Sequence, residues 1–503
     1  MTSQDETIAF LSNGANCGLP GAEVERIETH GSVIFLVGDR AYKLKRPVAF
    51  SALDYTTVQQ REAACRAELW LNRRTAPELY LGVHAICRKP NGELAFDGDG
   101  TVMDWVVAMR RFDQADLFDH LADAGCLTPN VIAVLADEIA RFHEAAERTP
   151  GHGGADGLRA AIELNRCDQQ TVEAVIGHDA VATLHKASLE VLERVAPLLD
   201  RRRGEGRVRR CHGDLRLANI CLLDGRPTLF DAIEFDDQVS CIDVLFDVAF
   251  LLTDLHHRGL EILANILFNQ YLDTTGDTDG LAALPLMLSV RAATRAYALA
   301  GAAQRSARPD DARPRAAGAL SYLALAESLL ADAPGRLIAI GGVAGSIKTS
   351  VAYELAASFQ PAPGARVLRS EVARRKLLDL SPGARLQATA YDGKTTERVY
   401  AHLAAEAAQT VRAGFTAIVD ADFVRAGERQ TIIAAATEAS VPFVGLWLGS
   451  ARNLQADGAA GTDGWHAVAR GAEPATIPAN RHHAISRMKA LTRGMIAVRQ
   501  TDP

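Results

Sequence analysis

At 503 residues the chain is too long for a single hydrophobic core and predicts about two to four domains. With 48% hydrophobic and 23% charged residues it falls among ordinary globular proteins, and a net charge of −8 gives no electrostatic case for nucleic acid as a general partner. Eight cysteines, at positions 17, 65, 87, 126, 167, 211, 221 and 241, make no CxxC pair and no zinc spacing, so they read as reduced thiols used as small apolar residues.

The N-terminus, MTSQDETIAFL, has acids where a secretory signal needs a basic region and an apolar core. No run of ~18 uncharged apolar residues follows; even Val244–Leu255 is broken by Asp247 and Asp254. The expectation is a soluble, cytoplasmic protein with no membrane partner. Nothing in the sequence speaks to oligomeric state.

Residues 24–47 alternate as strands do, in VERIETH, SVIFLVGD and RAYKLKRP, with turns at His30-Gly31-Ser32 and Gly38-Asp39. Three short antiparallel strands suit the small lobe of a kinase, and Ala41-Tyr42-Lys43 matches the A-x-K ending of the kinase V-A-I-K motif. Alternation puts Ala41, Lys43 and Lys45 on one face, so Lys43 is the preferred ATP-phosphate ligand and Lys45 its rival. Residues 57–75 read as a charged helix stopped by Ala76-Pro77. A kinase needs one glutamate there to pair with the strand lysine. Glu62 and Glu68 both qualify. Glu68 is preferred because it precedes Leu69-Trp70-Leu71, a run expected to pack on the sheet.

LYLGVHAICRK, ELAFDG and TVMDWVVAMRRF continue as strands, the last entering a hinge where Met109 to Phe112 would lie beside adenine. The pattern then turns helical, with Thr128 as N-cap and Pro129 in the first turn of one helix. Helices follow at 156–165 and 179–202, the latter ending in Arg201-Arg202-Arg203, read as a solvated terminus.

The stretch CHGDLRLANICLLDGRPTLFDAIEFDD, residues 211–237, carries the chemistry. Asn219 follows Asp214 by five positions, the Asp-to-Asn spacing of a kinase catalytic loop, and Asp231 comes after an apolar strand, where the second metal-binding Asp is expected. In that pattern Asp214 takes the acceptor hydroxyl's proton, while Asn219 and Asp231 hold Mg²⁺ against the ATP phosphates. The signal is specific, because three polar residues and two apolar strands have to agree together. Glu234, Asp236 and Asp237 face either a cationic substrate or solvent. CIDVLFDVAFLLTDLHHRG reads as one buried helix in which Asp247 braces the catalytic loop. His256-His257 suits the C-terminal dipole of that helix rather than a metal. Helices at 260–272, 282–304 and 317–332 complete the region, interrupted by RSARPDDARPR, its most loop-like segment.

On AYKLK, MRRF, CHGDLRLANI, LFDAIEFDD and CIDVLFDVAFLL, residues 24–331 resemble the aminoglycoside phosphotransferase and choline kinase-like family. The resemblance implies a two-lobed protein-kinase fold and ATP-dependent phosphorylation of a small-molecule hydroxyl. Members most often read His-Gly-Asp-Leu-His. Arg216 takes the last position here, leaving Asp214 and Asn219 in place but altering the acceptor side.

Beyond a short linker, RLIAIGGVAGSIKTSVAYELAASF reads strand, glycine loop, helix, the context of a P-loop G-x-x-x-x-G-K-[ST]. Gly342, Lys348 and Thr349 fit, and Gly345 joins the phosphate-binding set, with Thr349 also on the metal. Position 347 holds Ile instead of Gly, and a β-branched residue resists a left-handed backbone and adds bulk beside a phosphate. ARVLRSEVARRKLL supplies a strand and helix with Arg369, Glu371, Arg374 and Arg375 near the turn, and a helix is read at 395–412. FTAIVDADF places Asp420 and Asp422 at the C-terminal end of a buried strand, where ligands of doubly wound sheets collect; VPFVGLWLGS is a further buried strand. This module resembles small P-loop kinases of the gluconate kinase and zeta-toxin type, in which the residue at Asp420 serves metal or acceptor. GSARNLQADGAAGTDGWH is nearly free of the arginines their lid carries. Every cysteine precedes the linker, which suits an independent second module.

The module order resembles a bacterial bifunctional family that fuses an aminoglycoside phosphotransferase-like part to a P-loop ATP-binding part. The expected class is α/β and α+β in two modules: a bilobal protein-kinase-like fold, then a P-loop NTPase three-layer α/β/α domain. The expected domains are a kinase-like N-lobe at 1–113, a C-lobe with the catalytic loop at 114–331, a linker at 332–335 and a P-loop domain at 336–503. The leading reading is an ATP- and Mg²⁺-dependent small-molecule phosphotransferase. The alternatives are an enzyme with a second active P-loop site, and a regulatory nucleotide-binding protein without transferase activity.

Overall fold

A computed structural model describes residues 3–50, 53–165, 169–306, 308–342, 347–381, 383–448 and 464–468. The chain divides into two compact units, residues 1–161 with 199–251, and residues 162–198 with 252–503.

The first unit is built on a six-stranded antiparallel sheet whose strands run, edge to edge, Glu25–Glu28, Ser32–Val37, Arg40–Lys45, Thr101–Arg110, Tyr80–Arg88 and Leu94–Phe96. Alternation divides the core between its two faces. Val33, Phe35, Leu44, Ile86 and Val106 cluster with Phe10 and Leu11 of a helix at Ser3–Leu11. Leu36, Ala41, Tyr80, Val107 and Met109 cluster with Cys65 and Leu69 of the helix Val58–Asn72. The second helix starts at a capping box, with Thr57 accepting from the Gln60 amide and Gln60 reaching back to that of Thr57. Arg61 of this helix forms a buried ion pair with Asp104 at 2.7 Å, and Gln4 of the N-terminal helix donates to the same carboxylate. The opening residues, read above only for the absence of a signal, thus lock one face of the sheet.

Below the hinge, strand Val208–Arg210 pairs with Cys241–Asp243, and a hairpin joins Ile220–Leu223 to Arg226–Leu229. The segment from Cys241 is therefore not helical from its start; the helix begins at Val244 and runs to His257. Two side-chain expectations are also corrected. Trp70 is 60% exposed, because three consecutive helical residues spread over ~200° and cannot all face a sheet. Arg202 is fully buried and forms a two-pronged ion pair with Asp243 at 2.8 and 2.9 Å, so it is no solvated terminus.

In the second unit, helices Glu261–Thr275, Leu284–Arg305 and Pro309–Leu329 lead into a five-stranded parallel sheet. The last helix absorbs most of RSARPDDARPR. Pro309 occupies the first turn, where its missing N–H costs nothing, and Asp310 and Asp311 favour the N-terminal dipole. The sheet runs Arg366–Arg369, Ala417–Asp420, Leu337–Gly342, Phe443–Leu448, Trp465–Val468. Leu337, Ala339, Leu368 and Val419 pack against helices Gly393–Arg412 and Ala426–Glu438, while Ile338, Ile340, Val367 and Ile418 pack against helix Lys348–Ala356. Successive strand residues thus feed two cores, and the result is a three-layer α/β/α domain. Helix Glu261–Thr275 lies against this domain, with Asn265 and Asn269 donating to backbone oxygens at Pro363 and Ala365. The expectation of an independent second module gives way to one that shares its polar contacts with an earlier helix.

Candidate functional site

Strand Arg40–Lys45 lies beside Thr101–Arg110 with Lys43 opposite Val107, which directs Lys43 and Lys45 to the same side. Both reach Glu68 of helix Val58–Asn72: Lys43 Nζ is 2.8 Å from Oε1 and Lys45 Nζ 2.7 Å from Oε2. Glu62 instead pairs with Arg66 on the surface. Lys43 also touches Asp231 Oδ1 at 2.5 Å, and Lys45 touches Glu234 Oε1 at 2.5 Å. The Tyr55 hydroxyl donates to Glu234 at 2.6 Å. Two lysines and three carboxylates therefore interlock. Burial opposes charge on Glu68, but the two ammonium groups overcome it and draw its carboxyl down to about 2. Burial likewise opposes both ammonium groups, and the carboxylates (Asp231 foremost at Lys43, Glu234 at Lys45) hold them well above the ordinary lysine range.

The loop carrying Asp214 is held from behind. Asp247 accepts from the backbone N–H of His212 at 3.0 Å and of Gly213 at 2.9 Å, and its carboxylate also meets His143 Nε2 at 3.1 Å. Gly213 sits at φ +85°, and a Cβ there would press on Ile233 and the Val239 carbonyl at 3.1–3.2 Å. Burial lowers the His212 pKa, so its ring is neutral where it bonds the Phe230 carbonyl at 2.9 Å. Asp231 adopts φ +62°, a backbone uncommon for a residue other than glycine. It is pinned by its own N–H to the Tyr80 hydroxyl and by the next N–H to the Asn72 amide oxygen.

Asn219 Nδ2 donates to both the carbonyl and the carboxylate of Asp214 at 2.9 Å. Its nitrogen is thereby committed, and its amide oxygen is the atom left to a cation. Together with the Asp231 carboxylate this is an all-oxygen donor set, which suits a hard divalent ion such as Mg²⁺. Arg216, the departure from the usual histidine, grips Asp214 through Nε and Nη2 at 2.6 and 2.7 Å.

Lys43, Lys45, Asp214, Asn219 and Asp231 all line one cleft of about 400 Å³, with Met109 and Phe112 on its hinge side. Glu68 is fully buried behind the two lysines. The three acids after Asp231 are each engaged: Glu234 by Lys45 and Tyr55, Asp236 by capping the Gln238 amide, and Asp237 by Arg210. Of the three, Glu234 lines the cleft and Asp237 stays 54% exposed beside Arg210. Lys45 and Glu234 are the pair in this cleft that local sequence undervalued; 189 residues separate them.

In the second unit a cleft of about 710 Å³ holds Lys348, Thr349, Arg369, Arg374, Asp420 and Asp422 among its walls. Lys348 Nζ meets the Gly342 carbonyl at 2.9 Å and Asp422 at 2.8 Å, and Thr349 Oγ1 donates to Asp420 at 2.6 Å. Burial raises the Asp420 pKa, against the pull of Thr349 and Lys348. Gly342 adopts φ +144°, and a Cβ there would meet the Leu448 carbonyl at 2.8 Å. Gly345 and most of the arginine-poor segment after Leu448 lie outside the described residues. Ile347 sits at φ −75°, which any residue adopts, so the strain expected from its β-branched side chain does not arise. Hydroxyl and carboxylate at this position also form an oxygen donor set compatible with Mg²⁺.

Residues 56–284 match the Phosphotransferase enzyme family (APH), and residues 337–458 match an AAA domain family (AAA_33). An uncharacterized protein of Mycobacterium tuberculosis strain H37Rv is 30% identical over 404 residues, which span 78% of this chain and 77% of that protein. A choline kinase from Cryptosporidium parvum Iowa II resembles the chain at TM-score 0.40 and 11% identity, over 64% of this chain and 96% of that one. A thermostable mutant of aminoglycoside phosphotransferase APH(4)-Ia, solved with AMP-PNP and hygromycin B, does so at TM-score 0.38 and 15% identity, over 64% and 98%. The chain belongs to the family of its mycobacterial relative, and along it a phosphotransferase-family module precedes an AAA-type P-loop module. Among the described residues no helix is long and apolar enough to cross a membrane.

Proposed function

We propose that the protein transfers the terminal phosphate of ATP to the hydroxyl of a small molecule in the cleft of the first unit. One observation carries the reading: the Lys43–Glu68–Asp231 ion pairs and the Asp214–Asn219 loop converge on a single cleft. In this reading Lys43, fixed by Glu68, contacts ATP phosphates. Met109 and its neighbours border the adenine. Asp214 orients the acceptor hydroxyl and receives its proton as the new O–P bond forms. Asn219 and Asp231 would hold Mg²⁺, whose contribution is to neutralise charge on the transferring phosphate. Catalysis then rests on positioning and fixed charge rather than on a covalent intermediate. Arg216 shares both Asp214 oxygens, so one must be released to the acceptor; the identity of residue 216 thus bears on which acceptors fit.

The test is a metabolite-library phosphorylation screen run on wild type beside Asp214→Asn. The expected result is a set of compounds phosphorylated by wild type alone, with ATP binding retained in the variant. Equal turnover by both proteins would remove the reading.

A second nucleotide site is favoured by the Lys348–Asp422 and Thr349–Asp420 contacts, which keep a lysine, a hydroxyl and two carboxylates together behind Gly342. Its signature is two ATP equivalents bound per full-length chain, falling to one in Lys348→Ala. One equivalent bound by both proteins would remove it.

A further inference from the structure

Helix Glu261–Thr275 is largely buried and mostly apolar, yet it carries Asn265, Asn269 and Asp273 at four-residue intervals, all with less than a tenth of their surface exposed. That spacing lines them along one face. The face lies against strand Arg366–Arg369 at the edge of the parallel sheet, whose outer backbone groups have no further strand to pair with. Asn269 supplies the missing partners: its Oδ1 accepts from the Val367 N–H at 2.7 Å and its Nδ2 donates to the Ala365 carbonyl at 3.2 Å. Asp273, one turn further on, forms ion pairs with the fully buried Arg366 at 2.7 Å and with Arg369 at 2.8 Å.

The two arginines differ. Arg366 is also held by Glu406 at 3.0 Å and by Asn269 at 3.1 Å, and it is enclosed. Arg369, at the C-terminal end of the strand, is 28% exposed and lines the same cleft as Lys348, Thr349 and Asp420. It presents one nitrogen to Asp273, and its guanidinium lies 5.9 Å from the centre of the Tyr353 ring. Its charge is near enough to Asp420 to pull on that carboxyl. An arginine held by a single ion pair at the mouth of a lysine- and threonine-lined cleft retains donors for an anion.

We propose that Arg369 binds the phosphate groups of a ligand in the second cleft, and that Asp273 is the positioning residue that aims it there. Helix Glu261–Thr275 falls within the phosphotransferase match and Arg369 within the AAA match, so occupancy of the P-loop cleft depends on a residue of the other module. The proposal goes beyond the phosphotransferase reading and stands or falls separately from it.

The test uses the full-length chain with fluorescent mant-ADP as probe and inorganic pyrophosphate as competitor. The binding component that disappears in Lys348→Ala defines the second cleft. Arg369→Gln and Asp273→Asn are each expected to weaken that component about tenfold. The double variant should be no weaker than either single one, because both remove the same interaction. Asp273→Glu should recover most of the affinity, and the component insensitive to Lys348 should not move. Arg369→Gln is the safeguard against misfolding, since it leaves the buried Arg366 contacts intact. Displacement by pyrophosphate would assign the contact to phosphate rather than to the nucleoside, as the proposal requires. Unchanged affinity in Arg369→Gln, losses that multiply in the double variant, a parallel loss of both components, or no Lys348-dependent component would each overturn it.

Discussion

Lys43 and Lys348 each head a cleft suited to phosphate, but they are held in different surroundings. Lys43 shares a network with Lys45, Glu68 and Glu234, all buried or nearly so, and with the 42%-exposed Asp231; its members come from a strand, a helix and a loop up to 189 residues apart. Lys348 pairs with Asp422, a carboxylate 52% exposed, and with the carbonyl of Gly342 six residues away. The first arrangement exists only when the fold is complete, and each charge in it is tolerated because the others are present. In the second the lysine is also buried, but the carboxylate it meets, 74 residues away, stands half in water, so that ion pair is screened and contributes less to stability.

The largest effect expected from this contrast is catalytic. Asp214→Asn should lower phosphate transfer by about 10²–10⁴-fold, the usual range for a lost general base, when ADP release is followed with an acceptor from the screen. Next comes stability. Glu68→Ala takes the shared, fully buried carboxylate from two enclosed ammonium groups, leaving each with one acidic partner, and should cost about 3–5 kcal/mol in denaturant unfolding. Asp422→Ala, its counterpart in the second cleft, should cost no more than about 1 kcal/mol. Equal losses would break the comparison.

A pH series sharpens it further. The Glu68 carboxyl, drawn from an ordinary 4.5 to about 2, contributes stability that is fully present above about pH 4.5 and is lost as pH falls toward 2. The raised lysines contribute stability fully present below their ordinary 10.5 and lost only as pH rises beyond it. The melting-temperature gap between wild type and Glu68→Gln should therefore be flat across neutral pH and narrow on acidification. A gap that widened below pH 4 would contradict the ion-pair assignment. The smallest effect is the control: Glu62→Gln, on the exposed face of the same helix, should stay within about 0.5 kcal/mol of wild type.

What the sequence made legible follows from range. Asp214, Asn219 and Asp231 sit within eighteen residues at a spacing few other chemistries demand, and strand alternation brought Lys43 and Lys45 forward together. Pairing with the helix glutamate does not separate those lysines, since each engages one of the two Glu68 oxygens. Partners distant in sequence stayed hidden: Glu234 for Lys45, Asp243 for Arg202, Asp273 for Arg369. Local composition misled where prolines were counted as breakers, because Pro309 starts a helix rather than ending one. The polar face Asn265–Asn269–Asp273 has a four-residue period, which the reading of a plain helix at 260–272 passed over, and a period alone does not say that the opposing surface is a sheet edge.

That edge has a consequence for how the protein behaves at high concentration. A free strand border is a template on which a second chain can dock, sheet to sheet, and grow into aggregates. Here the amides of Asn265 and Asn269 occupy the border that Arg366–Arg369 would otherwise offer. Replacing both with leucine would keep the helix apolar and leave the strand's backbone groups unanswered. Such a protein should be prone to self-association before its chemistry is affected, so colloidal behaviour and activity would be set by neighbouring residues on one face of the same helix.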